Sequence, residues 1–212
     1  MTPQITAFCH IKKNQVFLNG KRIFSAGPEV DMREFVKAAF RNTGTKYPKF
    51  FKMDDYSKLG FLAVEVLMKA VDVSTIEAKS TGIVLSNNHS TLTTDQLFQD
   101  SIQSDEAFFP SPSVFVYTLP NIMAGEIAIR HHFTGENAFF VSSLFDPDWH
   151  TFYINQLFES KKISACLSGW VEMDDQSLEA FVYYVEKRNH QQNELMQHTV
   201  EELNNLYKIN DK

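Results

Sequence analysis

Apolar and polar residues mix at short period from Ile5 to Ile11, and the pattern resumes at Gln15 to Leu18 after a polar Lys-Lys-Asn break. A period near two marks a strand with two chemically different faces. Asn19-Gly20 is a strong hairpin-turn pair, so Val16 to Leu18 and Arg22 to Phe24 are predicted to pair. Gly27-Pro28 breaks the chain. The spacing of Phe35, Val36, Ala39 and Phe40 then predicts a short helix from Asp31, its N-cap, to Phe40, with a loop over residues 41–50.

Helical spacing returns with Leu59, Leu62, Ala63, Val66, Leu67 and Ala70, in a helix capped by Asp54 or Asp55 and running to about Val71. Thr81 to Leu85 reads as a core strand entering a polar loop, Ser86 to Ser90. An amphipathic helix follows from Thr94 to Ile102, with Leu97, Phe98 and Ile102 predicted inward. Asn121 caps a helix whose apolar positions run nearly all round, as in a buried helix, with Ala124, Gly125 and Ala128 forming a narrow strip for close backbone approach. Ala138 to Val141 is all apolar, which predicts burial on both sheet faces. Asp146-Pro147 is a doubly marked helix start, N-cap then Pro at the first position. That helix extends to about Glu159. Strands at Ile163 to Val171 and Ala180 to Glu186 and a polar helix from about Gln191 to Tyr207 complete the chain. Strands alternating with helices imply right-handed crossovers, hence an α/β domain with a mainly parallel sheet covered on both faces.

Composition narrows the class. With 212 residues, 43% hydrophobic and 22% charged, the chain is an ordinary globular domain, and one domain accounts for its length. Its net charge of −6, with no basic block, argues against nucleic acid as a partner. The Lys12-Lys13 and Lys161-Lys162 pairs are expected to be solvated surface. The 19 phenylalanines suggest large aromatic layers or an aromatic interface. Cys9 and Cys166 lie in apolar contexts without metal spacing, so a reducing cytoplasm is expected, with no metal or other cofactor. The polar Thr2 and Gln4 argue against a signal peptide, and no apolar run approaches a membrane span.

Within Pro110 to Val141 one motif carries more. Pro112-Ser113, Asn121, Ala124-Gly125, Gly135 and Asn137 fall where a β-ketoacyl synthase has a Pro-Ser turn, an Asn-x-x-Ala-Gly helix and a Gly-x-Asn before its nucleophile strand. The chain resembles the N-terminal half of that thiolase-fold family over roughly residues 50–186. Met53, Asp54 and Gly60, and Gly169-Trp170-Val171-Glu172 in place of Gly-Gly-x-Glu, extend the likeness. The resemblance implies a thiolase-like half, a mainly parallel mixed sheet with helices on both faces, and 3-oxoacyl-[acyl-carrier-protein] synthase activity in complete members. Counting from Asn137, however, the family's cysteine position is Leu144. An aliphatic side chain can neither attack nor hold an acyl group. The family's Gly-Thr-x-Thr and Lys-Ser-x-x-Gly-His elements, from a second half, do not occur either.

Other chemistry is weaker. Ser142 and Ser143 lie one or two residues before the cysteine position, and His150, His89 and the His131-His132 pair are the available bases. A serine needs such a base in contact; otherwise both hydroxyls serve the strand-to-helix turn. Adjacent helical histidines diverge by about 100°, so His131 and His132 suit a helix end better than a shared ligand sphere. His10 and His198 read as surface residues, Cys166 as an inert buried thiol, and Asp146, Asp148, Asp174 and Asp175 as caps or turns.

Three functions follow as expectations. The resemblance favours a non-catalytic chain-length-factor-like or accessory subunit in fatty-acid or polyketide (polyene-type) biosynthesis. It would work beside a true synthase, as a homodimer or a heterodimer with a full-length ketosynthase, with an acyl carrier protein as a further partner. Asn121, Ala124, Gly125, Ala128, Phe139, Phe140 and Phe145 would form the interface or acyl channel. The second is a serine-dependent acyltransferase or thioesterase using Ser142 or Ser143. The third is a scaffold that kept only the fold, with Phe139, Phe140 and Phe145 filling the space near Leu144.

Overall fold

A computed structural model of the chain describes residues 3–72, 74, 76–103, 110–174, 177–187 and 196–209. Its centre is an eight-stranded mixed sheet. The strands are β1 (Pro3–Lys12), β2 (Gln15–Leu18), β3 (Lys21–Ser25), β4 (Thr81–Asn87), β5 (Asn137–Val141), β6 (Ala165–Met173), β7 (Leu178–Lys187) and β8 (Met196–Gln197). They lie in the order β3-β2-β1-β7-β6-β4-β5, with β8 added to β1. The parallel pairings are β4 with β5 and β4 with β6, while the remaining pairs are antiparallel. The parallel part is thus a three-stranded core rather than the bulk of the sheet. Hairpins β1-β2-β3 and β6-β7 supply the antiparallel balance, because short connections can only reverse a strand.

Asn19 and Gly20 both take positive φ, 50° and 75°, closing the β2-β3 hairpin as the Asn-Gly pair dictates. Strand β1 carries a bulge between Ile5 and Ala7. The inserted residue reverses the alternation, so Ile5 faces one core and Ala7 the other.

Helices α1 (Met32–Thr43), α2 (Asp55–Leu67), α3 (Leu92–Ile102), α4 (Pro112–Val116), α5 (Ile122–His131), α6 (Pro147–Glu159) and α7 (Val200–Lys208) surround the sheet. On one face, α1, α2 and α5 bury Phe35, Phe40, Leu59, Leu62 and Ile127 against Ile83, Leu167 and Val182. On the other, α6 and α7 bury Ile154, Phe158 and Leu203 against Val84, Phe181 and Tyr183. Helices do cover both faces. Among them, α2 is buried along nearly its whole length. Gly60 on α2 lets α5 approach closely, since a Cβ there would overlap Met123 Sδ.

Caps lie where the sequence places them. Asp31 accepts from the Arg33 and Glu34 amides, Asp54 from Ser57 and Asp146 from Trp149. Removing the Asp146 carboxylate leaves an amide at the start of α6 without its acceptor. Asp146→Ala is expected to cost about 1 kcal/mol in a urea titration.

Several expectations are corrected. Residues 41–50 are not all loop: α1 runs to Thr43 before a left-handed Gly44, and a 3-10 helix spans Pro48–Lys52. Leu97 is 60% exposed, and Thr94 is the buried residue of α3. The C-terminal helix starts at Val200, after strand β8, while residues 191–195 of the expected helix lie outside the described residues. His10 and His198 are buried, not surface. His10 stacks on Tyr207 at 5.5 Å and pairs with Glu179 at 2.9 Å. Lys12 is buried as well. No described helix is long and apolar enough to cross a membrane.

Candidate functional site

In open α/β sheets, ligands bind outside the carboxyl ends of the parallel strands. At that end, beyond β4 and β6, lies a cleft of about 420 Å³. Its walls include Asn88 and His89 after β4, Ser143 after β5, Trp170 and Glu172 on β6, and Leu178 on β7. The volume falls within the usual range for small-molecule sites.

Glu172 organises this end. Its Oε2 accepts the backbone amides of Asn88 (2.6 Å) and His89 (3.2 Å), and its Oε1 lies 3.1 Å from His89 Nδ1. The carboxylate therefore fixes both the loop and the imidazole. Asn88 Nδ2 lies 3.3 Å from His89 Nε2. An amide nitrogen only donates, so Nε2 is the acceptor and Nδ1 carries the proton towards Glu172. The ring is half exposed in the cleft while Glu172 is largely buried. Sequence reading missed this pair, because 83 residues separate its members.

Of the candidate nucleophiles, Ser142 closes the turn, its Oγ donating to the Leu144 carbonyl at 2.9 Å and its amide to Asn87 O at 2.8 Å. Ser143 is exposed on the cleft wall. Leu144, where the sequence count expects the nucleophile, has 63% of its surface exposed. His150 is no base for either serine. It is buried, with Nε2 2.8 Å from Ser86 Oγ and Nδ1 2.8 Å from Ser168 Oγ. Burial, reinforced by the nearby His198, lowers its pKa to about 3. Tyr183 continues the chain from Ser168 to His198 Nε2 (3.4 Å), whose Nδ1 meets Asn155 Oδ1 at 3.0 Å. Ser86 Oγ lies 3.4 Å from the Gly169 carbonyl, so the run of donors and acceptors ends on backbone. It is a closed polar seam between α6 and the sheet.

His131 and His132 end α5, and His132 takes the left-handed cap conformation. Glu65 binds Arg130 Nε and His131 Nε2 at 3.0 and 3.1 Å. Burial raises the Glu65 pKa, but hydrogen bonds from His131 and Arg130 outweigh it and hold the carboxyl at about 2. Both cysteines are buried free thiols whose pKa burial drives up, so Cys166 is inert. Among the described residues, no group of three or more His, Cys, Asp or Glu is placed to hold a metal ion.

The expected acyl-channel residues do not converge. Ala124 is buried, Gly125 and Ala128 are partly exposed, and a Cβ at Gly125 would meet nothing within 4 Å. Asn121 occupies the N-cap without a side-chain cap bond. Phe139 packs towards Tyr56 at 6.5 Å, Phe140 against Trp149 and Tyr153, and Phe145 against His150, Phe181 and Tyr207. These rings have separate sets of aromatic partners. Strand β5 ends the sheet order and is half exposed rather than buried on both faces. Exposed apolar residues include Val141 at the end of β5, Leu144 in the connection that follows, Trp149 and Phe152 on α6, and Ile129 on α5.

No protein-family description matches the sequence, and no curated protein matches it. Solved structures do. The ishigamide ketosynthase/chain length factor superimposes with a TM-score of 0.61 at 15% identity, over 91% of this chain and 64% of that one. A ketosynthase (ApeO) in complex with its chain length factor (ApeC), from Xenorhabdus doucetiae, gives 0.59 at 13%, over 90% and 81%. AntDE:AntF, a type II PKS acyl-carrier protein in complex with its ketosynthase bound to the hexaketide, gives 0.60 at 14%, over 89% and 63%. The chain thus spans less than two thirds of the first and third. It has the ketosynthase-like, thiolase-type fold.

Proposed function

We propose that this chain is a ketosynthase-like subunit without condensing activity of its own, paired through β5 in the manner of a chain-length factor with a full-length ketosynthase of fatty-acid or polyketide (polyene-type) biosynthesis. The observation that carries this reading is the outer edge of β5. An uncharged, half-exposed edge strand, with Val141, Leu144, Trp149, Phe152 and Ile129 among the exposed apolar residues, invites strand pairing unless a partner covers it. Leu144 at the tip of that strand supplies no nucleophile. Two of the similar structures hold a ketosynthase with a chain length factor, and a third holds a ketosynthase with its acyl-carrier protein.

A carrier-protein partner is supported by a second surface. Arg41, Lys46, Lys49 and Lys52 fall within twelve residues that contain no acidic side chain. Phe40, Tyr47, Pro48 and Phe51 line an open groove of about 510 Å³ beside them. Lys49 is half exposed and already paired with Glu126 at 2.8 Å, leaving the others to face an acidic carrier.

Sedimentation tests the pairing. The chain of 24.4 kDa is expected to double its mass alone or to form a one-to-one complex with a cognate ketosynthase. The double variant Ile129→Lys, Val141→Lys should weaken that association at least tenfold with an unchanged circular dichroism spectrum. A wild-type protein that stays monomeric and binds neither ketosynthase nor carrier protein would overturn the reading.

A further inference from the structure

The geometry points to a hydrolytic site in the cleft at the strand ends, with Ser143 as nucleophile, His89 as general base and Glu172 as the group that positions it, acting on short-chain acyl thioesters. Three features support it. Glu172 binds His89 Nδ1 at 3.1 Å and is itself held by two backbone amides, so the carboxylate cannot swing away. The Asn88 amide at His89 Nε2 leaves that nitrogen without its proton, the form a base must take. Ser143 and His89 are both exposed and line the same cleft, whereas Ser142 and His150 are engaged elsewhere. Ser143 and His89 do not touch in the free protein, so the contact a nucleophile needs must form as substrate binds. A carboxylate, an imidazole and a hydroxyl sharing a cleft is a constellation recognised by roles rather than by sequence order. The class of acyl group follows from the walls: Trp170 and Leu178 offer a short apolar surface, and about 420 Å³ suits a small acyl chain with part of its thiol arm.

The reaction balances without a cofactor. Ser143 Oγ attacks the thioester carbonyl carbon as its proton passes to His89 Nε2. The tetrahedral adduct expels the thiolate, which takes that proton and departs as the thiol. Water, deprotonated by His89, then attacks the acyl-serine ester. The carboxylic acid leaves and the proton returns to Ser143. Asn88 Nδ2 donates to Nε2 in the free protein and must release that lone pair for the Ser143 proton; the N–H so freed can then turn to the carbonyl oxygen as it becomes negative. This activity needs no partner, so its failure leaves the pairing through β5 untouched, and the reverse also holds.

The test uses the full chain with butyryl-N-acetylcysteamine, monitoring thiol release and intact mass. Wild type is expected to release thiol above the solution background and to carry one butyryl group, mapped by peptide mass spectrometry to Ser143. Ser143→Ala, at an exposed position, should fold normally and lose at least a hundredfold of the activity together with the adduct. His89→Ala should do the same, with thermal melting confirming the fold. Glu172→Gln should lower kcat more than it raises KM and shift the pH profile, which a merely structural role would not do. No adduct and no thiol release above background, an adduct mapped to Ser142, or full activity in Ser143→Ala would overturn the proposal.

Discussion

Replacing Gly169 with alanine is expected to strip the fold of much of its stability. Gly169 lies in β6 between two paired strands and holds φ at +152°, where a side chain is strained whatever room surrounds it. Room is also missing. A Cβ there would stand 2.7 Å from Val182 Cα and closer still to the Phe181 carbonyl oxygen, both backbone atoms of β7 that cannot rotate aside. Strain and overlap together should cost roughly 4 kcal/mol or more, much of the stability of a domain of this size. The measurement is a guanidinium titration of Gly169→Ala beside Gly125→Ala. At Gly125 an added Cβ meets nothing, and helix propensity alone should give a gain of about 0.5–1 kcal/mol. Equal stability of the two variants would refute this account of the β6-β7 contact.

Acid is expected to weaken the fold by several kcal/mol before most of its carboxylates titrate. His150 and His198 are buried and neutral, with burial pulling their pKa values to about 3 and about 4 from an ordinary 6.5. Because the folded values are the lower ones, the unfolded chain takes up these protons first. Stability is therefore full above pH 6.5 and falls as the pH drops from there towards the folded values. At pH 5 each imidazole should cost about 2 kcal/mol, and the two together about 4 kcal/mol. The lowered Glu65 adds its own loss below about pH 4.5. Urea titrations from pH 8 to pH 5 measure the slope, and His150→Gln should remove about half of it. A midpoint that does not move over that range would show that the seam is hydrated or already charged.

What the sequence revealed and what it hid divide along the range of the interactions. Asn19-Gly20, the caps at Asp31, Asp54 and Asp146, and the spacing of α2 are local, so they were readable from neighbouring residues. The Asn121 to Val141 likeness extended this to the topology around β4, β5 and α6. Burial was harder. Ala-Phe-Phe-Val reads the same at a sheet's centre and at its edge, since apolar content cannot tell a neighbouring strand from a missing one. Leu97 fits an inward stripe, yet it stays exposed, while Phe98 beside it meets Phe115 of α4. His10 and His198 looked superficial because their partners, Glu179, Tyr207, Tyr183 and Asn155, are distant in the chain. The cleft pair was half visible: Glu172 stood out through the Gly-Trp-Val-Glu run and His89 as one of several bases. Only the β4-β6 register joins them.

The place of β1 also bears on how the molecule is made. This first strand lies next to β7, with Phe8 opposite Tyr183 and Ile11 opposite Ala180. Its inner flank therefore stays bare on a growing polypeptide until β7 has left the ribosome. Helices and the β1-β2-β3 hairpins can gather early, but this part of the sheet closes only once β7 is made, and slowly, as distant loop ends must find each other. During that interval an unfinished β-edge is available to chaperones and to aggregation alike.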